Sequence, residues 1–252
     1  MRDYGLVSII TPAYNAASYI GETIESVLKQ TYPHWELLIV DDCSTDESPA
    51  ISANYAAQDS RIRYFKTASP SGSPCLPRNM GIKAANGRFI AFLDSDDCWL
   101  PNKLEEQLPL FEKLDVGIVY SDYEKMTERG ERNRRVVKAP ACVDYRQLLL
   151  GNVIGCLTAV YDTAKVGKVY FENHSHEDYI LWLSILKQGY VARNSGKVSA
   201  CYRVREHSVS SNKWKALSWQ WDIYRNVEKI GFLKAAYCFV HYAYKAFRKS
   251  MT

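Results

Sequence analysis

Apolar and polar positions alternate in blocks along the first half of the chain. Leu6–Thr11 (LVSIIT) is short, β-branched and nearly all apolar, as expected of a strand buried on both faces, and Pro12 is expected to end it. Ser18–Gln30 carries Ile20, Ile24, Val27 and Leu28 at helical spacing. Trp35–Val40 (WELLIV) predicts a second strand, stopped by Asp41 and Asp42. Asp46–Gln58 predicts a helix, Arg61–Lys66 a short third strand, Arg88–Leu93 (RFIAFL) a fourth and Val116–Tyr120 (VGIVY) a fifth. Strands and helices alternating at this spacing predict an α/β fold with a mostly parallel, doubly wound sheet.

Two interruptions stand out. Thr67–Pro77 holds three prolines, a glycine and three serines, so an irregular loop is expected. Glu128–Arg135 (ERGERNRR) is charged around a glycine and predicts a hairpin tip. From about Asp144 the βαβ pattern fades, and a less regular lobe sharing the sheet is expected. The expected division is 1–210 as one domain, with halves 1–122 and 123–210, followed by a basic, aromatic helical tail over 211–252.

Composition changes little. The 252 residues are 47% hydrophobic and 24% charged, which suits a folded domain. A net charge of +4 is too weak to argue for nucleic acid. The seven cysteines are odd in number and form no Cys-x-x-Cys pair, which argues against a disulfide framework or structural zinc. The opening MRDYGLVSIITPAYNA has no signal-like apolar core, and no run reaches the ~18 apolar residues of a membrane span. A cytoplasmic protein is the expectation.

Candidate chemistry sits where the predicted strands end. In open α/β sheets, ligands bind beyond the carboxyl ends of the strands. Thr11-Pro12-Ala13-Tyr14-Asn15, Asp41-Asp42 and Asp94-Ser95-Asp96-Asp97 follow strands one, two and four. The last puts three carboxylates in four residues, a repulsive cluster unless a cation neutralises it. Mg²⁺ or Mn²⁺ bridging a diphosphate suits such hard oxygen ligands. The turn TPAYNA has no glycine, so it is not the G-x-G-x-x-G of a dinucleotide fold, and no phosphate-binding G-x-x-x-x-G-K-[ST] loop occurs. Further on, Tyr179, Trp182, Leu183 and Leu186 fall at i, i+3, i+4 and i+7, anchoring a helix whose first turn holds Glu177 and Asp178.

The segments TPAYNAASYIGETIESVLKQTYPHWELLIVDDCSTD, RNMGIKAANGRFIAFLDSDD and HEDYILWL occur in the order and spacing of the family 2 glycosyltransferases, which the chain resembles over roughly its first 210 residues. Within that family it looks most like bacterial enzymes of surface-polysaccharide assembly, of the teichuronic-acid type. The resemblance implies a GT-A fold, a nucleotide-sugar donor, a divalent metal and transfer with inversion. It also implies roles. Pro12 and Tyr14 resemble the nucleobase-contacting turn, Asp42 the carboxylate that reads a uracil N–H with Asp41 beside it, and Arg78 an arginine near the donor. Asp94-Ser95-Asp96 is similar to the D-x-D motif: Asp94 and Ser95 would face the ribose and Asp96 the metal. Asp97 has an alternative role as a helix cap. Asp178 matches the general base, with Glu177 next to it.

Tyr202-Arg203-Val204-Arg205-Glu206-His207 is similar to a family segment whose histidine approaches the metal or diphosphate, with one extra residue here. His207 is therefore a candidate metal ligand, and Arg203 or Arg205 a candidate phosphate clamp. Lys213–Thr252 holds eight lysines and arginines against two carboxylates, interleaved with aromatic residues. Such a tail suits either a helical pair packed on the domain or peripheral contact with the inner face of the cell membrane. The expected partners are the donor and a glycan or lipid-linked glycan acceptor, with no nucleic acid. Two competing readings are a sugar nucleotidyltransferase, which the glycine-free first turn disfavours, and a non-catalytic nucleotide- or sugar-binding module, which the intact acidic motifs disfavour.

Overall fold

The computed structural model describes residues 2–205 and 213–249. In chain order the elements are β1 (Val7–Ala13), α1 (Ile20–Leu28), β2 (Trp35–Asp41), α2 (Ser48–Gln58), β3 (Ile62–Lys66), α3 (Cys75–Ala84), β4 (Phe89–Phe92), β5 (Cys98–Trp99), α4 (Lys103–Gln107), β6 (Val116–Met126), β7 (Arg132–Val137), β8 (Cys142–Val143), α5 (Tyr145–Leu148), β9 (Val160–Asp162), α6 (Thr163–Val166), α7 (Glu177–Leu186), β10 (Val191–Arg203), α8 (Lys213–Asp222) and α9 (Phe232–Lys249).

The strands join one sheet in the order β3-β2-β1-β4-β9-β6-β10-β5, with β7 on β6 and β8 on β10. Pairing is parallel from β3 through β4, and again between β6 and β10. The strand β9 runs antiparallel to both neighbours and splices the two parallel regions. Alternate residues face opposite sides, as a strand's two-residue period requires. On one side Val7, Ile9, Leu37, Phe89, Ala91 and Val119 pack with α1 and α4. On the other Ile10, Ile90, Phe92, Ile118 and Tyr161 pack with α3, α5 and α7. That second layer also takes Ile223, Tyr224, Ala235 and Cys238, so the C-terminal segment is part of the same core.

Several boundaries differ from expectation. Pro12 does not end β1, which runs on to Ala13 against β2. The Val7 N–H donates to the His34 carbonyl just before β2, and the Ile10 carbonyl accepts the Leu93 N–H just after β4, so Ile10 and Pro12 face the β4 side. Pairing with β4 stops at Ile10–Phe92, so the N–H that proline lacks is not needed there. Helix α3 begins inside the expected loop, with Pro77 in its first turn, where a missing N–H breaks no helical bond. Thr127–Glu131 is the hairpin tip, flanked by β6 and β7.

Candidate active site

The order β3-β2-β1-β4 reverses at β1, because β2 lies on one side of it and β4 on the other. A crevice opens at such a switch point, beyond the strand ends. Pro12–Tyr14 and Asp94–Asp96 flank it, and Asp41-Asp42 follows one strand further out.

Two loops build the outer wall. The Asn15 N–H donates to Ser44 Oγ at 2.9 Å, and Asn15 Oδ1 accepts from the Thr45 N–H at 2.9 Å. The N–H groups of Ala16 and Ala17 donate to Ser48 and Asp46. Asn15 takes φ +47° to do this, a conformation asparagine tolerates. The turn is thus fixed by side chains rather than by glycine, and Tyr14 stands 59% exposed at its tip. Asp41 and Asp42 are both buried. Asp41 Oδ2 accepts from the Ser44 N–H, while its Oδ1 has no partner among the described residues. Asp42 accepts from Thr67 Oγ1 at 2.9 Å and from the Ser71 N–H at 3.0 Å. The Ser71 hydroxyl lies within reach of both Asp42 Oδ2 and the Ser73 carbonyl. Its single hydrogen serves one at a time, which leaves Asp42 room for another donor.

The acidic turn after β4 divides by task. Asp97 is buried, and its Oδ1 accepts the Arg203 N–H at 2.8 Å. It ties the turn to β10 and caps no helix, since the next helix starts at Lys103. Burial, with Asp94 and Asp96 beside it, pushes its carboxyl well up. Asp96 is raised too, by burial first and then by Asp94. Its Oδ2 lies 3.2 Å from Arg205. Arg205 is half exposed, whereas Arg203 is buried and bonded to the Asp96 and Glu128 carbonyls and to Glu22. Of the two candidate clamps, Arg205 is the more exposed.

Arg78 joins the turn to the second half of the chain. It is 4% exposed and forks between Asp94 Oδ1 at 2.7 Å and Glu177 Oε1 at 2.8 Å. Helix α3, which carries Arg78, lies so close to β1 that a Cβ on Gly81 would meet Ile10 Cγ2 at 2.5 Å. The register of α7 is as expected: Tyr179, Trp182, Leu183 and Leu186 are all buried. Asp178 Oδ2 accepts from Asn152 Nδ2 at 3.1 Å, and its Oδ1 from the Tyr179 N–H at 2.7 Å. Burial first, then the Glu177 charge, pushes the Asp178 carboxyl up to about 6. Arg78, Asp94, Glu177 and Asp178 therefore form one constellation. Cys156 lies among them, its thiol held well up by burial and by the carboxylates against the pull of Arg78, so it stays protonated.

Sequence reading missed Asn152, Cys156 and the contacts of α8 with the loop before α7. His174 Nε2 lies 2.8 Å from Asp222 Oδ2, and the His176 ring meets Trp219 edge-on at 5.4 Å. These partners are far apart in the chain, and no local pattern announces them. His207 lies outside the described residues.

A divalent ion can be tested against these side chains. Among the described residues no group of three or more His, Cys, Asp or Glu is arranged to hold one. An ion that takes one or two carboxylates and completes its shell with diphosphate and water needs no such cage. Two neighbouring carboxylates, one raised by the other and countered by an arginine, fit that mode.

The glycosyl transferase family 2 model matches residues 8–161. Over 247 residues, 98% of both chains, the protein is 41% identical to TuaG of Bacillus subtilis (strain 168), named as a teichuronic acid biosynthesis glycosyltransferase. Over 224 residues, 88% of this chain and 86% of the other, it is 44% identical to WfgD of Escherichia coli, a UDP-Glc:alpha-D-GlcNAc-diphosphoundecaprenol beta-1,3-glucosyltransferase. Among solved structures, residues 1–349 of S. aureus TarS with UDP-GlcNAc superpose with a TM-score of 0.71 at 23% identity, covering 94% of this chain and 71% of that one. A mannosyltransferase of Pyrobaculum calidifontis with GDP-Man and Mn²⁺ gives 0.67 at 17% identity, covering 94% and 69%. The sheet with its switch-point crevice is thus a GT-A fold, and the chain belongs to glycosyl transferase family 2 as a glycosyltransferase.

Proposed function

We propose that the enzyme transfers a sugar, with inversion, from a UDP-sugar to a hydroxyl of a growing, lipid-linked cell-surface polysaccharide. The observation that carries this reading is the Arg78-Asp94-Glu177-Asp178 constellation. It supports the reading because Arg78 joins the acidic turn after β4 to Glu177, next to a carboxylate of raised pKa. The names of relatives support donor and acceptor: WfgD is named for UDP-Glc and a diphosphoundecaprenol-linked acceptor.

Tyr14 and Pro12 would face the base, and Asp42, backed by Asp41, would read its N–H. Asp94 and Ser95 would meet the ribose. Asp96, with His207, would hold Mn²⁺ or Mg²⁺, which when bound supplies positive charge to the leaving diphosphate. Arg205, which pairs with Asp96 in the structure, would turn to that diphosphate. The acceptor oxygen attacks the anomeric carbon, the bond from that carbon to the diphosphate breaks, and the hydroxyl proton passes to the Asp178 carboxylate. Asn152 and the Tyr179 N–H hold that carboxylate in place, and a pKa of about 6 suits a base working near neutrality. Glu177 keeps Arg78 paired.

Calorimetric titration with UDP, GDP and CMP, each with and without Mn²⁺, tests the donor site. Binding of UDP that needs Mn²⁺ and is lost in Asp96→Ala is the expected result. Absence of metal-linked binding for all three would overturn it and leave the non-catalytic module standing.

A further inference from the structure

Helix α9 is apolar on two sides. Its inner side carries Ala235 and Cys238, both buried in the core. Tyr242 also points inward, its ring 3.3 Å from where a Cβ on Gly151 would sit. The outer side carries Leu233, Tyr237, Val240 and Tyr244, which are 84%, 64%, 67% and 59% exposed. These four fall at i, i+4, i+7 and i+11, a single stripe along three turns. Phe232 is exposed as well and broadens its start. Scattered apolar side chains need no explanation, but a continuous stripe marks a contact surface.

Charge identifies the partner. The helix FLKAAYCFVHYAYKAFRK has no Asp or Glu and includes Lys234, Lys245, Arg248 and Lys249. Lys229 stands just before it. We propose that the outer face of α9 lies on an anionic lipid surface. Leu233 and Val240 enter the acyl boundary, Tyr237 and Tyr244 lie at headgroup level, and the lysines meet anionic headgroups. A second copy of the chain fits the face less well. Self-pairing about a two-fold axis would set Lys234 and Lys245 against their counterparts, with no carboxylate on the helix to neutralise them. The inner side of α9 rests on Gly151, next to the Asn152 that holds Asp178, so the lipid surface would lie on the acceptor side. The lipid contact itself does not depend on the transfer reaction.

Flotation of the full chain tests it, with vesicles of phosphatidylglycerol and phosphatidylcholine in equal parts and of phosphatidylcholine alone. Wild type should float with the anionic vesicles, far less with the neutral ones, and less as salt is raised. Leu233→Ser/Val240→Ser should weaken binding by about tenfold or more, and Lys234→Glu by roughly fivefold. Unfolding midpoints should stay at the wild-type value, which shows that the variants are folded whether or not UDP binds. Failure of the wild type to float with anionic vesicles overturns the proposal, as does flotation of the double variant like wild type. A wild-type dimer that the double variant makes monomeric, without flotation, assigns the face to a second copy and overturns it too.

Discussion

With its carboxyl at about 6, Asp178 changes charge within the range where an enzyme of this kind is assayed. If it is the base, kcat/KM rises with pH through about 6 and levels above, and Asp178→Asn lowers turnover ~10²–10⁴-fold while UDP binding persists. The same shift acts on folding in the opposite sense. The folded state holds the Asp178 proton up to about 6, whereas the ordinary carboxyl loses it near 3.8. Stability therefore falls as pH rises from about 4 to 6, and Asp178→Asn should be the more stable protein above that window, on the order of 2 kcal/mol. Urea melts at pH 4 and pH 7.5 check the sign: equal stability of variant and wild type at both would refute the burial of the charge. Arg78 behaves differently. Its removal as Arg78→Ala leaves Asp94 and Glu177 without their shared cation, at a cost of about 3 kcal/mol, the low end because both carboxylates are partly exposed. Arg78→Lys should not rescue it, because an ammonium lacks the planar fork that spans two carboxylates.

Among the elements, those legible in the sequence are the ones whose signal is local. Runs such as LVSIIT and WELLIV are buried on both faces and read directly as central strands. The helical spacing of Tyr179, Trp182 and Leu183 placed Glu177 and Asp178 at a helix start without any structure. The short strands β5, β8 and β9 have two or three residues each, too few to show a period, and only their partners make them strands. Asn152 and Asp178 are 26 residues apart, and no spacing rule connects them. The alternative of Asp97 as a helix cap rests on its place shortly before a helix, whereas the Arg203 N–H claims it here. Two element-level predictions follow from close contacts. Gly81→Ala puts a methyl into Ile10 and must push α3 off β1, so it should cost about 1–3 kcal/mol and weaken nucleotide binding through Arg78. Trp219→Ala removes the ring against which His176 rests, so it should lower kcat with little change in UDP affinity. An unaltered kcat would mean that α8 does not steady the start of α7.

At the scale of the whole molecule, the C-terminal helices are not an appendage. Ile223, Tyr224, Ala235 and Cys238 share a core with α7, and Tyr224 donates to the Leu149 carbonyl. A chain truncated after residue 210 should expose that core and melt well below the full chain, or fail to stay in solution, in a thermal scan. Among the described residues no helix is long and apolar enough to cross a membrane. Beside the β4–β9 pairing and the Asn79–Phe171 bonds, the two halves share one guanidinium, which Arg78 divides between Asp94 in the first half and Glu177 in the second. If the donor draws Asp94 toward its ribose, as proposed, it changes what Arg78 can offer Glu177. An acceptor that engages Glu177 changes what Arg78 can offer Asp94. Thermodynamic reciprocity then requires the two substrates to alter each other's affinity by the same factor, and the enzyme would sense at one end of the crevice whether the other is filled.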